Sequence, residues 1–295
     1  MNSSLFYIPL LIILFIQNIN ANVKTNKNIE NQKILIGYYG RPNTKSLGVL
    51  GQSNINTLVE KMRKKEEYFN EELEGKVDIQ MAFHIIYGLA TPDAGRRNTY
   101  MLRLSEKSLM RYINRAEKEG FRVIIDLQMG TNSTVEALNL VLKYLKYEHV
   151  HLALDPEFKI PKHRRYPPGK FIGHIFAKDL NAAQDLINNY ILENNLEKKD
   201  LIVHMFSRRM LRKKEEIKNY ENVNLIYNID GHGDPAVKIK IYNNLYTENE
   251  IKVAKSGFKV FYHADTHMMT PKQLLGLEPS RGRQLWTNPY YINYQ

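Results

Sequence analysis

Residues Val150–Glu157 read VHLALDPE, and the rest of the chain is best read outward from them. One alternate set, Val150, Leu152 and Leu154, is wholly apolar. The other, His151, Ala153, Asp155 and Glu157, ends in two carboxylic acids. Successive side chains of a strand point to opposite faces, so the run predicts a strand with one apolar face and one face that grows polar toward its C-terminal end. Seven further β-rich runs are Ile34–Tyr39, Val77–Ile86, Arg122–Met129, Leu201–Phe206, Val223–Asp230, Phe258–His263 and Gln284–Asn288. Their polar parities are Gln80, Ala82, His84; Ile124, Asp126, Gln128; Ile202, His204, Phe206; Asn228, Asp230; and Gln284, Trp286, Asn288.

Amphipathic segments with helix signals separate these runs. Ser105–Glu119 is followed by Gly120, a residue suited to the left-handed helix end. Ser133-x-x-Glu136 is a capping box opening TVEALNLVLKYLKY. Asp179 precedes LNAAQDLINNYILE, and Thr270-Pro271 places proline at a first helical position. Strands alternating with helices predict a parallel sheet. Eight of them in a chain of 295 residues predict one α/β domain, a (β/α)8 barrel of the triosephosphate-isomerase type over 33–295. No G-x-G-x-x-G follows the first run, so an open dinucleotide-binding sheet has no support. In a barrel the polar parities face inward and gather at the C-terminal mouth, the catalytic end of this fold.

Composition bounds the chemistry. The absence of Cys excludes disulfides, thiolate metal sites and a cysteine nucleophile. Lys and Arg number 42 against 31 Asp and Glu, a formal charge of +11. Arg41, Arg96, Arg97, Lys159, Lys162, Arg164, Arg165, Arg208 and Arg209 all follow strands, which predicts an electropositive mouth and an anionic ligand. Leu5–Ile16 is an apolar run ending near Ala21, which reads as a signal peptide over 1–21 ahead of a polar linker, 22–32. The run is short for a bilayer span, and no later stretch is long enough for one. The expectation is therefore a protein of the bacterial envelope, secreted or periplasmic, without a nucleic-acid partner and without a membrane span after cleavage. Its oligomeric state is left open.

The candidate site follows from the polar parities. Asp155 and Glu157 lie on one face at one strand end, where two carboxylates repel unless one is protonated, paired or metal-bound. Glu157 and Asp155, with Asp126 and Asp230, are the candidate catalytic acids and bases. Tyr38, Arg41, His84, Gln128, His204, Tyr262 and Trp286 are candidate substrate contacts, the single Trp as a platform for a sugar ring. His151, deep in its strand, reads as a core histidine. This chemistry needs no cofactor. The alternative is a divalent metal held by Asp155, Glu157, Asp230, His232 and His263, with Asp234, Asp265 and His267 in the same His-Gly-Asp and His-Ala-Asp-Thr-His strings.

Two resemblances add to this. Tyr38-Tyr-Gly-Arg-Pro42, Leu47-Gly-Val-Leu-Gly51, Leu152-Ala-Leu-Asp-Pro-Glu-Phe158, Ile229-Asp-Gly-His-Gly-Asp-Pro-Ala236 and Met269-Thr-Pro-Lys-Gln-Leu-Leu275 resemble a family of exported bacterial proteins without an assigned activity. That resemblance implies export and a single domain. Asp155-x-Glu157 ending a fourth strand, with a Trp in an eighth, is similar to family 18 glycoside hydrolases. It implies a general acid at Glu157 and a substrate-orienting Asp155. Ala153 and Val150 stand where the longer acidic motif of that family has acids, and no Ser-x-Gly-Gly occurs in the third run. The leading expectation is an exported glycoside hydrolase for an envelope or extracellular polysaccharide, neutral or anionic. A metal-dependent (phospho)hydrolase and a non-catalytic glycan-binding surface protein are the alternatives.

Overall fold

The computed structural model describes residues 29–163 and 166–295. The signal-peptide run, most of the linker, Arg164 and Arg165 lie outside the described residues. The elements in order are β1 (Gln32–Gly40), α1 (Ile55–Glu72), β2 (Val77–Ala90), β3 (Met101–Arg103), α2 (Glu106–Glu119), β4 (Arg122–Gln128), α3 (Thr134–Asn139), β5 (Val150–Asp155), β6 (Ile175–Phe176), α4 (Ala177–Glu193), β7 (Lys199–Met205), β8 (Leu211–Arg212), β9 (Val223–Ile229), α5 (Pro235–Leu245), β10 (Lys255–Val260), α6 (Pro271–Leu274) and β11 (Tyr291–Tyr294).

Eight strands form a closed, all-parallel barrel in the order β1, β2, β4, β5, β7, β9, β10, β11, and β1 pairs with both β2 and β11 to close it. β3 extends the end of β2 as an antiparallel hairpin arm, and β6 pairs with β8 apart from the barrel. The alternation read from β5 holds around the ring. Leu35, Ala82, Ile124, Ala153, Ile202, Ile226 and Tyr291 pack on the axis, while Val150, Leu152, Leu154 and their counterparts pack outward against the helices. One axial position must be glycine, because a Cβ on Gly37 would fall 2.1 Å from the Tyr291 hydroxyl.

The helix signals act as expected at several ends. Ser105 accepts from Ser108 N–H, and Gly120 closes α2 at φ 67°. Ser133 and Glu136 form the capping box of α3, and Thr270 and Gln273 form that of α6. Three expectations shift. The Ser133 helix stops at Asn139 and continues as a 3-10 turn over Leu142–Lys146. α4 starts at Ala177, so Asp179 lies inside the first turn and its side chain accepts from Phe176 N–H. The eighth barrel strand is Tyr291–Tyr294, not Gln284–Asn288. Gln284–Asn288 is irregular, with the side chains of Gln284 and Trp286 donating to the Gly276 and Tyr246 carbonyls, and Pro289, which has no N–H for a central ladder, separates it from β11. The pairing falls to the alternating residues after it.

A candidate active site at the barrel mouth

The inward polar residues form a band across the C-terminal half of the barrel. Above it a cavity of about 390 Å³ opens at the mouth, lined by acids, aromatics and one lysine. Asp155, at the end of β5, and Glu157, in the 3-10 turn Pro156–Phe158, both line it. The carboxylate of Asp155 accepts from Glu157 N–H at 3.0 Å and so fixes the turn that presents Glu157. Asp230, just past β9, lines the same cavity. It accepts from His204 Nδ1 at 2.7 Å, Asn228 Nδ2 at 2.7 Å and Lys259 Nζ at 3.1 Å. Gln128 also lines the cavity, and its Oε1 accepts from Ala90 N–H.

The acids are driven apart in proton affinity. Burial, reinforced by Asp126, Glu157 and Asp230 and only partly offset by His204, pushes Asp155 up to about 7. Burial and the charge of Asp230 also raise Glu157 above the usual carboxylate value. Burial alone would raise Asp230, but His204 and Lys259 outweigh it and hold Asp230 below that value. The cavity therefore holds carboxyl groups of opposed proton affinity, Asp155 and Glu157 raised and Asp230 lowered.

His84, Asp126 and His204 reach the axis from β2, β4 and β7 but sit below the cavity, each with no exposed surface. Burial drives His84 down to about 4. For His204 burial acts the same way, but Asp230 and Asp126 outweigh it and raise the imidazole above its usual value. Asp126 is held down to about 2, because His204 and His84 together overcome its burial.

Several expected contacts lie elsewhere. Tyr38 points outward, where it packs with Tyr294 and lines a separate cavity of about 600 Å³ with Tyr262, His263 and Lys65. Tyr262 stacks on Tyr294 in that outer cluster. Trp286 is in the outer layer, donating from Nε1 to the Tyr246 carbonyl and packing on its ring. Arg41 is buried, its guanidinium donating to the carbonyls of Ile86 and Tyr87 at 2.9 and 3.2 Å, which makes it a loop clamp. Among the described residues, the other basic loop residues do not line the mouth cavity. Arg96 and Arg97 are exposed, Lys162 pairs with Glu136, and Arg208 and Arg209 line an outer cavity of about 940 Å³. The described arginines of the expected set therefore do not rim the mouth cavity.

Of the expected metal set, Asp155, Glu157, Asp230 and His232 line the mouth cavity, but among the described residues they are not in the group of donors within ligand distance of one another. His232 reaches the mouth cavity, but His263 faces the outer one. Asp234 caps α5, accepting from Ala236 N–H. Asp265 is taken up by Gly233 N–H, Phe261 N–H and Lys238. The group that does gather His and carboxylate donors is His84, Asp126 and His204.

Two residues at the cavity, Tyr39 and Lys259, were not among the expected contacts. Tyr39, next to Tyr38, points inward and lines the cavity, its ring 4.9 Å from that of His84. Lys259 on β10 is buried, 3.1 Å from Asp230 and 4.0 Å above the Tyr39 ring. A lysine alternating with Phe258 and Val260 was the available signal for the second. β1 offered none, since both of its parities are apolar apart from the tyrosines.

No family model and no curated protein matches the chain. A solved structure titled BT1044, a selenomethionine form carrying one Glu-to-Gln substitution, aligns with 93% of this chain and 84% of its own at 11% identity and a TM-score of 0.38. A likeness that distant carries no argument about activity. The class is therefore set by the fold and the mouth cavity alone: a single-domain parallel α/β barrel with a carboxylate-lined pocket at its C-terminal end.

Proposed function

We propose that the protein is an exported glycoside hydrolase in which Glu157 is the general acid and Asp230 its ionised counterpart. The observation that carries this reading is the opposed proton affinity of two carboxyl groups in one cavity, Glu157 raised and Asp230 lowered. Environments that push paired carboxyls apart in this way assign the acid and the base. Glu157 delivers its proton to the departing glycosidic oxygen, while Asp230 faces the positive charge that grows on the sugar ring. Asp155 positions Glu157 through the turn N–H at 3.0 Å. Phe158, Phe206 and Phe261 give the cavity apolar faces on which a sugar ring can pack.

The substrate is an envelope or extracellular polysaccharide, in keeping with the apolar Leu5–Ile16 run at the N-terminal end. Three carboxyl groups against one lysine in the cavity favour an uncharged ring at the reacting centre. No helix among the described residues is long and apolar enough to cross a membrane.

The test is turnover of purified polysaccharides, read as released reducing ends, by wild type and Glu157→Gln. The amide keeps the shape but has no proton to deliver. Turnover should fall by about 10²–10⁴-fold, the usual weight of a general acid, with thermal stability unchanged. Equal turnover by both proteins would remove Glu157 from the chemistry. Glycan binding without turnover by either would make the protein a glycan-binding barrel.

A further inference from the structure

We infer that His84, Asp126 and His204 form a binding site for one divalent transition-metal ion, best matched by Zn²⁺, beneath the floor of the mouth cavity. The inference is independent of the carboxylate mechanism proposed above.

The first support is convergence. Three strands, β2, β4 and β7, each send one residue to the same point on the axis, and the ligand atoms lie within 4.8 Å of one another. The second is that these atoms are orphaned. Nε2 of His84, Nε2 of His204 and both carboxylate oxygens of Asp126 are buried without a hydrogen-bond partner. Buried polar atoms are almost always partnered, and here four orphans face one another.

The third support is distance. Asp126 Oδ2 lies 3.5 Å from His84 Nε2 and 3.5 Å from His204 Nε2. That is longer than an N–H···O hydrogen bond, which peaks near ~2.9–3.0 Å. It is close to the separation of two ligands around one tetrahedral ion, about 3.3–3.4 Å when each bond is ~2.0–2.1 Å. Asp126 is thus spaced from both imidazoles as one ligand is from its neighbours.

The fourth support is the outer shell. The other nitrogen of each ring is engaged: His204 Nδ1 with the carboxylate of Asp230 at 2.7 Å, and His84 Nδ1 with the Tyr291 hydroxyl at 2.7 Å. On His204 the carboxylate at the far nitrogen fixes the tautomer that leaves Nε2 free to bind metal, and metal-bound histidines almost always have an acceptor at that position. Asp126 and Asp230, both held below the usual carboxylate value, against Lys259 also leave negative charge in the neighbourhood to meet a dication. Two imidazoles and one carboxylate are donors that suit zinc and leave a fourth position open.

The experiment uses the mature protein, purified without a histidine tag, dialysed against EDTA and titrated with ZnCl₂. Metal content is read by mass spectrometry and stability by thermal melting. One zinc per chain should bind with submicromolar affinity and raise the melting temperature. Asp126→Asn and His84→Gln should each weaken binding at least 100-fold and abolish the zinc-dependent rise. A His232→Ala/His263→Ala variant should bind as wild type does. Should the core variants fail to fold, Co²⁺ added to wild type reads the site directly, as the intense visible absorption of a tetrahedral ion. Failure of wild type to bind zinc, absence of that cobalt band, or full occupancy in a folded Asp126→Asn would each overturn the inference.

Discussion

At the N-terminal end of the barrel, buried Asp200 accepts from Arg122 at 2.6 Å and from Asn224 at 3.0 Å, while its own N–H donates to Nδ1 of His151 at 2.9 Å. At the C-terminal end, Asp126 is equally buried and neither of its oxygens has a hydrogen-bond partner. The contrast extends beyond these two acids. Of the nine buried side-chain atoms without partners among the described residues, six belong to His84, Asp126, His204, Asn228 and Asn293 in the upper band. Both ends use the same inward parity and comparable residue types. The lower network is saturated, so it holds the barrel together. The upper one is left unsatisfied where the cavity is, which is where a protein gives up stability for a function.

The comparison can be broken most visibly with pH. The folded protein holds the Asp155 proton up to about pH 7, against 3.8 for an ordinary aspartate. Between those values the unfolded chain binds fewer protons than the folded one, so Asp155 makes stability fall as pH rises through this window and adds no further change above it. The slope approaches about 1.4 kcal/mol per pH unit for one proton. Urea unfolding of wild type and Asp155→Asn from pH 4 to 7 should show the variant gaining on wild type across that range. Parallel curves would mean that the mouth is not under strain.

Next in size is the lower network. Asp200→Ala strands Arg122 and leaves the Asn224 amide without its acceptor, and should cost about 3 kcal/mol in urea unfolding. That is the low end for a broken buried pair, because Arg122 keeps 21% of its side chain in solvent. A loss below 1 kcal/mol would erase the distinction between the two ends. The smallest effect has the opposite sign. Asn293→Leu replaces a buried amide whose oxygen is orphaned with an apolar group of similar branching, and should stabilise the fold by about 1 kcal/mol. Destabilisation would show that the upper band is packed as a structural core.

Much of this architecture was legible in the chain, and the reasons are local. Val150–Glu157 displayed its alternation openly, and the same parity placed His84, Asp126, Asp155, His204 and Asp230 on the inside of the barrel. His151 read as a core histidine and is one, bonded to the Asp200 N–H. What failed were positions where alternation carries no contrast. In β1 both parities are apolar, and choosing Tyr38 over Tyr39 moves the side chain to the other face. The last strand was passed over for the run around the single Trp just before it, because four residues show too little alternation to stand out. The arginines of the mouth loops are invisible to periodicity, and Arg41 turned out to be bound to backbone carbonyls. Distances are not legible at all. His84, Asp126 and His204 could be singled out one by one, but only the barrel brings three strands to one point.

The closing seam of the barrel, Leu35 against Tyr291, joins residues about 250 positions apart. β11 is the last barrel strand to leave the ribosome, and until it arrives β1 and β10 are edges with unpaired backbone groups. The axial layer also lacks the Tyr291 ring, so the polar residues above it have no seal beneath them. Contacts this distant in sequence form slowly. The nascent chain thus spends its synthesis with two sticky borders that only its own final strand can cover, which gives a partly made or clipped chain every opportunity to pair with another copy of itself.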